Sequence, residues 1–221
     1  MTMNRRLFSA ALFSAGAAGA TLTPLRSALA QAAAAGPAEG RDYTKLEPPQ
    51  PSGVPPGKIE VLEFFSYACP HCSAFEPTLE AWQKTLPADI VFRHVPVPFL
   101  MNAENFMRTY YALESMGAVD AVQMKIFRAI HIERVRLETG ENMAEFVAKS
   151  GVDPAKFLAA FKSFSVATSV AKAKKMMADY KVESVPLLIV QGRFVTSPSL
   201  AGGPERALAV VDGLAQRLRK A

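Results

Sequence analysis

The stretch that decides the fold runs from Ile59 to Pro77, IEVLEFFSYACPHCSAFEP, and it changes character half-way. Ile59 to Phe65 is dense in β-branched and aromatic residues, and this near-continuous apolar run suits a strand covered on both faces; Glu63 interrupts it. Beyond Cys72 the spacing is helical through Leu86, with Leu79 and Trp82 on one face and Pro77 inside, where a kink is expected. The only two cysteines of the 221-residue chain, Cys69 and Cys72, stand at the changeover, where a buried strand ends and a helix begins.

That position has chemical consequences. At a helix N-terminus the unpaired backbone N–H groups and the macrodipole favour an anion, so Cys69 should ionise more readily than a free thiol, whose pKa is about 8.5. Cys69 is the expected nucleophile. Cys72 lies in the first helical turn, more shielded, as the expected resolving thiol. His71 can add positive charge or a hydrogen bond to a thiolate, and Pro70, near the first helical position, gives up an N–H that had no helical partner. Two plainer roles compete. A structural disulfide across so small a loop would contribute only about 2 kcal/mol in the chain-entropy account. A metal site needs about four ligands, whereas the chain holds two cysteines and three histidines in all, with His71 between the thiols.

Working outward, Ile90 to Val97 reads as a second strand, broken by Pro96-Val-Pro98. From Ala103 to Tyr180 no segment alternates as a strand would; helical stretches at roughly 103–117, 119–133, 142–150, 154–163 and 166–180 are separated at Gly117, Gly140 and Gly151-Val-Asp-Pro154. Strands return at Pro186–Val190 and Arg193–Val195, joined by Gln191-Gly192 as a two-residue turn. A closing helix from about Pro204 presents Leu208, Val211, Leu214 and Leu218 on one face. The expected order is β-α-β, a helical insertion, then β-β-α.

The first thirty residues stand apart. Arg5 and Arg6 precede an uncharged Ala/Gly/Ser-rich stretch, Leu7 to Leu22, and Ser27-Ala28-Leu29-Ala30 ends in a small-x-small pattern, so residues 1–30 read as a cleaved export signal. An uncleaved anchor is the alternative, but the segment is short and weakly apolar for a span of about 20 residues. The paired arginines loosely resemble a twin-arginine signal, which leaves the export route open. Residues 31–57, rich in Ala, Pro and Gly, read as a linker with an extended edge segment around Tyr43 to Leu46, order beginning at Lys58.

Half of the chain is apolar and a fifth charged, as in an ordinary globular domain. Of 25 basic side chains Arg5, Arg6 and Arg26 belong to the signal, which leaves 22 against 20 acidic ones and a net charge of +2. So small an excess argues against nucleic acid or an anionic membrane surface as partner.

The segment VLEFFSYACPHCSAFEP closely resembles the active-site segment of thioredoxin-fold proteins of the DsbA type, in its Cys-Pro-His-Cys tetrapeptide, the acid six residues before the first cysteine and the proline five after the second. The helical stretch 103–180 falls where that family interrupts the thioredoxin fold, and SVPLLIVQGRFV, Ser184 to Val195, resembles its segment carrying a cis proline. The resemblance spans nearly all of residues 41–221. It implies an α/β, thioredoxin-like fold with a mixed central sheet, formed by residues 58–102 and 181–221 around an inserted all-helical domain at 103–180. It also implies a monomeric periplasmic oxidase that needs no cofactor beyond the Cys69–Cys72 disulfide, donates it to newly exported cysteine-containing proteins, and is reoxidised by a quinone-linked inner-membrane partner of the DsbB type. An oxidising compartment would pair any spare thiol with the reactive one, and the chain carries none.

Three further positions gain roles. Glu63, among apolar neighbours, is expected to be buried with a raised pKa and to relay protons to or from Cys72, the alternative being a surface acid on an edge strand. Pro186, heading a returning strand, is the proline marked for a cis bond beside the disulfide, which would leave the Val185 backbone free to pair with an extended substrate. His94 and His131 read as ordinary surface or core histidines. Rival functions are a disulfide reductase or isomerase on the same fold, although isomerases of this type commonly carry a dimerisation domain for which residues 31–57 are too short, and a noncatalytic peptide-binding chaperone or metal carrier.

Overall fold

The computed structural model describes residues 36–220. The expected export signal, residues 1–30, lies outside them. The run Ile59–Phe65 forms strand β2, every residue of it buried. It occupies an interior position of a five-stranded sheet ordered β1-β5-β4-β2-β3, in which β1 is Thr44–Lys45, β3 Ile90–Pro96, β4 Leu187–Val190 and β5 Phe194–Thr196. Strands β2 and β3 pair in parallel and the other neighbours antiparallel, so the sheet is mixed as expected.

Alternation along β2 sends its side chains to two separate cores. Ile59 and Val61 pack with Leu188 and Val190, with Phe75, Leu79 and Trp82 of helix α1 (Pro70–Gln83) and with Leu208, Val211 and Leu214 of the closing helix α8 (Pro204–Leu218). Trp82 Nε1 donates to Asp212 Oδ1 at 3.0 Å and ties those two helices together. Leu62 and Phe64 belong to the second core, which they share with the helical insertion. That insertion comprises α2 (Ala103–Ser115), α3 (Val119–His131), α4 (Gly140–Ala148), α5 (Pro154–Phe161) and α6 (Phe164–Asp179). Its helix starts follow the sequence: Thr139, Asp153 and Ser163 each accept a backbone N–H as N-caps. Helix α1 continues through Pro77. A short helix α7, Pro198–Ala201, capped by Ser197, stands between β5 and α8.

Order begins earlier than Lys58. The chain from Gly36 to Gly57 lacks an apolar run, which is why it reads as a linker, yet hydrogen bonds and two buried anchors fasten part of it to the sheet. Tyr43 and Leu46 are buried, β1 pairs with β5, and Leu46 and Gln50 donate backbone N–H groups to Arg193 and Gly192 carbonyls, each at 2.8 Å. The buried Asp42 carboxylate accepts from Arg41, Arg206 and the Ala38 amide, while Thr196 Oγ1 donates to its carbonyl.

The β4–β5 turn is the expected one. Gln191 and Gly192 both have positive φ, 53° and 61°, and the Arg193 N–H returns to the Val190 carbonyl at 3.0 Å. A Cβ at Gly192 would stand 2.2 Å from the Gln50 carbonyl oxygen, whereas one at Gly202, whose φ is +87°, would meet nothing. Gly202→Ala is therefore expected to cost about 1–2 kcal/mol through backbone conformation alone. Gly192→Ala should cost more, because it also pushes the N-terminal segment off the sheet. Urea denaturation of both variants checks the order.

Candidate active site

Strand β2 delivers the chain to a tight loop, Ser66–Ala68, that leads into helix α1. The Cys69 N–H donates to the Ser66 carbonyl at 3.0 Å and the Ala68 N–H to Ser66 Oγ at 3.1 Å, a local turn that aims the next residue at the helix axis. Cys69 is the N-cap of α1, Pro70 its first residue, and Cys69 Sγ accepts the Cys72 N–H at 3.4 Å. The sulfur takes the place that a serine or aspartate oxygen holds in most helix caps. Both cysteines are thiols here; Cys69 is 5% exposed and Cys72 fully buried, while His71 is exposed.

The Cys69 thiol also faces the carbonyl of Val185, 3.5 Å away and 116 residues along the chain. Val185 is half-buried, Pro186 is buried, and the peptide bond between them is cis. The start of β4 therefore lies against the first cysteine, as the sequence reading expects.

Behind the pair lies a polar cluster inside the protein. Glu63 is 1% exposed on an interior strand, which disposes of an edge position. It sits opposite His94 in the parallel β2–β3 register, and His94 Nδ1 lies 2.5 Å from Glu63 Oε2. Glu76, one helical turn after Cys72, is buried too; Gln123 Nε2 of α3 donates to its Oε1 at 2.8 Å. Glu76 Oε2 has no hydrogen-bond partner among the described residues.

These surroundings split the two thiols. The hydrogen bond from the Cys72 thiol, helped by the backbone N–H groups of Cys72 and His71 and by the charge of His71, lowers Cys69 to about 6 against the effect of burial. Burial above all, then donation to Cys69 and the nearby charges of Glu63 and Cys69, pushes Cys72 far up. Burial likewise raises Glu63 well above the ordinary carboxylate range, with the Cys69 charge adding to it. Burial lowers His94, so it drives both partners of the Glu63–His94 contact toward their neutral forms. Glu76 is pushed up to about 7, by burial first and then by the charge of Glu63.

Sequence and structure comparisons agree with this arrangement. A DSBA-like thioredoxin domain model matches residues 60–202. The chain belongs to that family. It is 43% identical over 210 residues to the thiol:disulfide interchange protein DsbA of Bordetella pertussis, covering 95% of this chain and 96% of that one. The crystal structure of Pseudomonas aeruginosa DsbA superposes with a TM-score of 0.78 at 42% identity, over 82% of this chain and 94% of that one. The Xylella fastidiosa oxidoreductase DsbA gives 0.77 at 30% identity, over 84% and 99%.

Within this DSBA-like fold, Cys69, Pro70, His71, Cys72, Glu63, Val185 and Pro186 converge on one place. Four neighbours escape the sequence reading. His94 is no ordinary histidine but the partner of Glu63, and His131 Nε2 donates to the Tyr67 carbonyl at 2.8 Å, holding the loop before Cys69 from the insertion side. Glu76 was within reach, since it stands four residues after Cys72 on the buried face of a helix. Gln123 carries no local signal; only the packing of α3 against α1 brings it in.

Two measurements test this electrostatic picture. In the reduced protein, thiolate absorbance followed with pH should give a Cys69 midpoint near 6. Cys72→Ala should raise that midpoint more than His71→Ala does, because the thiol hydrogen bond outweighs the imidazole charge; the reverse order would contradict it. The second concerns Glu76, whose carboxyl titrates at about 7 in the fold against 4.5 for an ordinary glutamate. The folded state holds this proton more tightly than the unfolded one, so Glu76 weakens the fold increasingly as pH rises from about 4.5, and fully above about 7. Relative to the wild type, Glu76→Gln should gain about 3 kcal/mol between acid and mildly alkaline pH, measured by urea denaturation.

Proposed function

We infer that this chain is a thiol:disulfide oxidoreductase that works in the bacterial periplasm as a monomer, passing its Cys69–Cys72 disulfide to exported cysteine-containing proteins. The observation that carries this reading is the split between a helix-capping Cys69 of low pKa and a buried Cys72 of raised pKa. The names of its relatives supply the reaction class, and the signal-like residues 1–30 supply the compartment.

The reaction balances on these groups. A substrate thiolate attacks Cys69 Sγ, the Cys69–Cys72 bond breaks, and Cys72 leaves as a thiolate that takes a proton. Glu63, buried and protonated, is the donor. A second substrate thiolate attacks the substrate sulfur of the mixed disulfide, the substrate disulfide forms, and Cys69 departs as a thiolate. Two electrons have moved from substrate to enzyme, and the disulfide bond from enzyme to substrate. Cys69 leaves well because its thiolate is already stabilised; Cys72, whose thiolate is not, needs the proton. His71 and Pro70 shape the thiolate site, and the Val185–Pro186 segment borders the mixed disulfide and offers backbone to an extended client chain. Return to the disulfide form falls to a quinone-linked inner-membrane reoxidase, and no resident cofactor is required.

The direction of transfer follows from magnitude. A Cys69 pKa near 6 favours the reduced form at pH 7 by about one unit of protonation free energy, about 1.4 kcal/mol or 30 mV more oxidising than a pair of ordinary thiols. The remaining shift adds only at higher pH. An equilibrium titration against glutathione should find a couple more oxidising than glutathione at pH 7, with the acidity of Cys69 supplying about 30 mV of the difference. The dependence of its potential on pH should halve above about pH 6, where reduction takes up one proton instead of two. Rapid oxidation of a reduced model protein completes the test; stoichiometric binding without thiol exchange would support a chaperone instead, and a strongly reducing potential a reductase.

A further inference from the structure

The polar cluster behind the thiols is a continuous hydrogen-bonded chain that reaches the helical insertion. The Tyr67 hydroxyl donates to Gln123 Oε1 at 3.2 Å, and Gln123 Nε2 donates to Glu76 Oε1 at 2.8 Å. The same Gln123 nitrogen lies 3.3 Å from His94 Nε2, and Gln83 Nε2 lies 3.3 Å from that ring atom as well. At the other side of the ring, Nδ1 meets Glu63 Oε2.

Donor and acceptor roles along this chain are not free. Glu76 Oε1 accepts from Gln123, any proton on that carboxyl standing on the partnerless Oε2, and this orients the amide with its NH2 toward Glu76 and its oxygen toward Tyr67, whose hydroxyl donates. His94 Nε2 is then flanked by two amide donors and can only accept. A neutral imidazole carries one proton, so that proton sits on Nδ1 and is donated to Glu63 Oε2. Oε2 is thereby committed as an acceptor, and any proton that Glu63 carries resides on Oε1.

We propose that Gln123 of the helical insertion is a positioning residue for disulfide exchange: it holds His94 in the Nδ1–H tautomer and so keeps the transferable proton of Glu63 on the oxygen that His94 does not use. This rests on the reading of Glu63 as the proton donor to Cys72. Without the Gln123 amide only Gln83 faces Nε2, and its amide, which makes no other hydrogen bond among the described residues, can turn its oxygen to the ring; the Nε2–H tautomer then becomes accessible, and Nδ1 would accept from Glu63 and draw its proton away from the thiols. The charged and titratable groups around His94 are Glu63 on β2, Glu76 on α1, Glu114 on α2 and Asp120 on α3, with the Tyr110 ring 5.9 Å away. The three carboxylates Glu76, Asp120 and Glu114 favour a charged ring and burial opposes it; burial prevails, so the neutral tautomers are the states in competition.

The test uses the whole mature protein. In the reduced form, nitrogen NMR of labelled histidine should find His94 as the Nδ1–H tautomer at neutral pH, and Gln123→Leu should shift it toward Nε2–H. Opening of the Cys69–Cys72 disulfide by glutathione, followed by rapid quench across pH, should be roughly tenfold slower at neutral pH in Gln123→Leu, part of the about 10²–10⁴-fold that a positioned proton carrier supplies. The Cys69 thiolate midpoint should not move. In a Glu63→Gln background Gln123→Leu should add no further slowing, because it acts through Glu63. Gln123→Met, which keeps the length of the side chain without its amide, replaces Gln123→Leu should the latter fail to fold. An Nε2–H tautomer in the wild type, or an unchanged tautomer and opening profile in the Gln123 variant beside a slowed Glu63→Gln, overturns the role of Gln123 and leaves Glu63 standing. An unchanged profile in Glu63→Gln overturns the donor reading of Glu63, and the kinetic role of Gln123 with it.

Discussion

Everything in this site hangs on one interaction, the cap that Cys69 Sγ places on the first turn of α1. A sulfur can hold that place only if the strand before it ends at the right depth and the helix after it starts without delay. A wholly buried β2, the Ser66 turn and Pro70 at the first helical position meet these conditions in succession. Once the cap is made, Cys72 falls by helix geometry into the interior, and the two sulfurs occupy opposite environments although three residues apart. Asymmetry in acidity is a by-product of where a helix starts.

Burying Cys72 creates a second requirement, since a thiol that must gain and lose a proton has no water to exchange it with. In the proposed mechanism buried acids serve instead, Glu63 on the strand and Glu76 on the helix, both of which burial makes harder to ionise, Glu76 to about 7. Their cost to stability is the counterpart of their use. The helical insertion reaches both thiol surroundings: α3 fastens the loop before Cys69 through His131 and hydrogen-bonds Glu76 through Gln123.

Much of the fold is legible in the sequence because local and global signals coincide. Ile59–Phe65 reads as a two-sided strand and is one; Gln191-Gly192 reads as a turn and adopts positive φ at both residues. The cysteine pair and Glu63 are legible for the same reason, the pair standing where that strand gives way to a helix and Glu63 interrupting its apolar run. What escapes is long-range. The Glu63–His94 pairing depends on a strand register, and Gln123 on helix packing, neither of which leaves a periodic trace around the residue concerned. Before Lys58 the edge segment around Tyr43 to Leu46 is legible and becomes β1, while the rest escapes because backbone hydrogen bonds fasten it, and these carry no residue-type signature.

The margins of the sheet bear on the company this protein keeps. Chains that await disulfides are unfolded and rich in exposed backbone, ready to extend any open strand and seed aggregates. Here one margin is closed by β1, only two residues long, and the other strand, β3, carries the exposed Arg93, paired with Glu60, and ends at Pro96, which has no N–H to offer. A chain drawn to Cys69 therefore meets little open sheet backbone that it could extend.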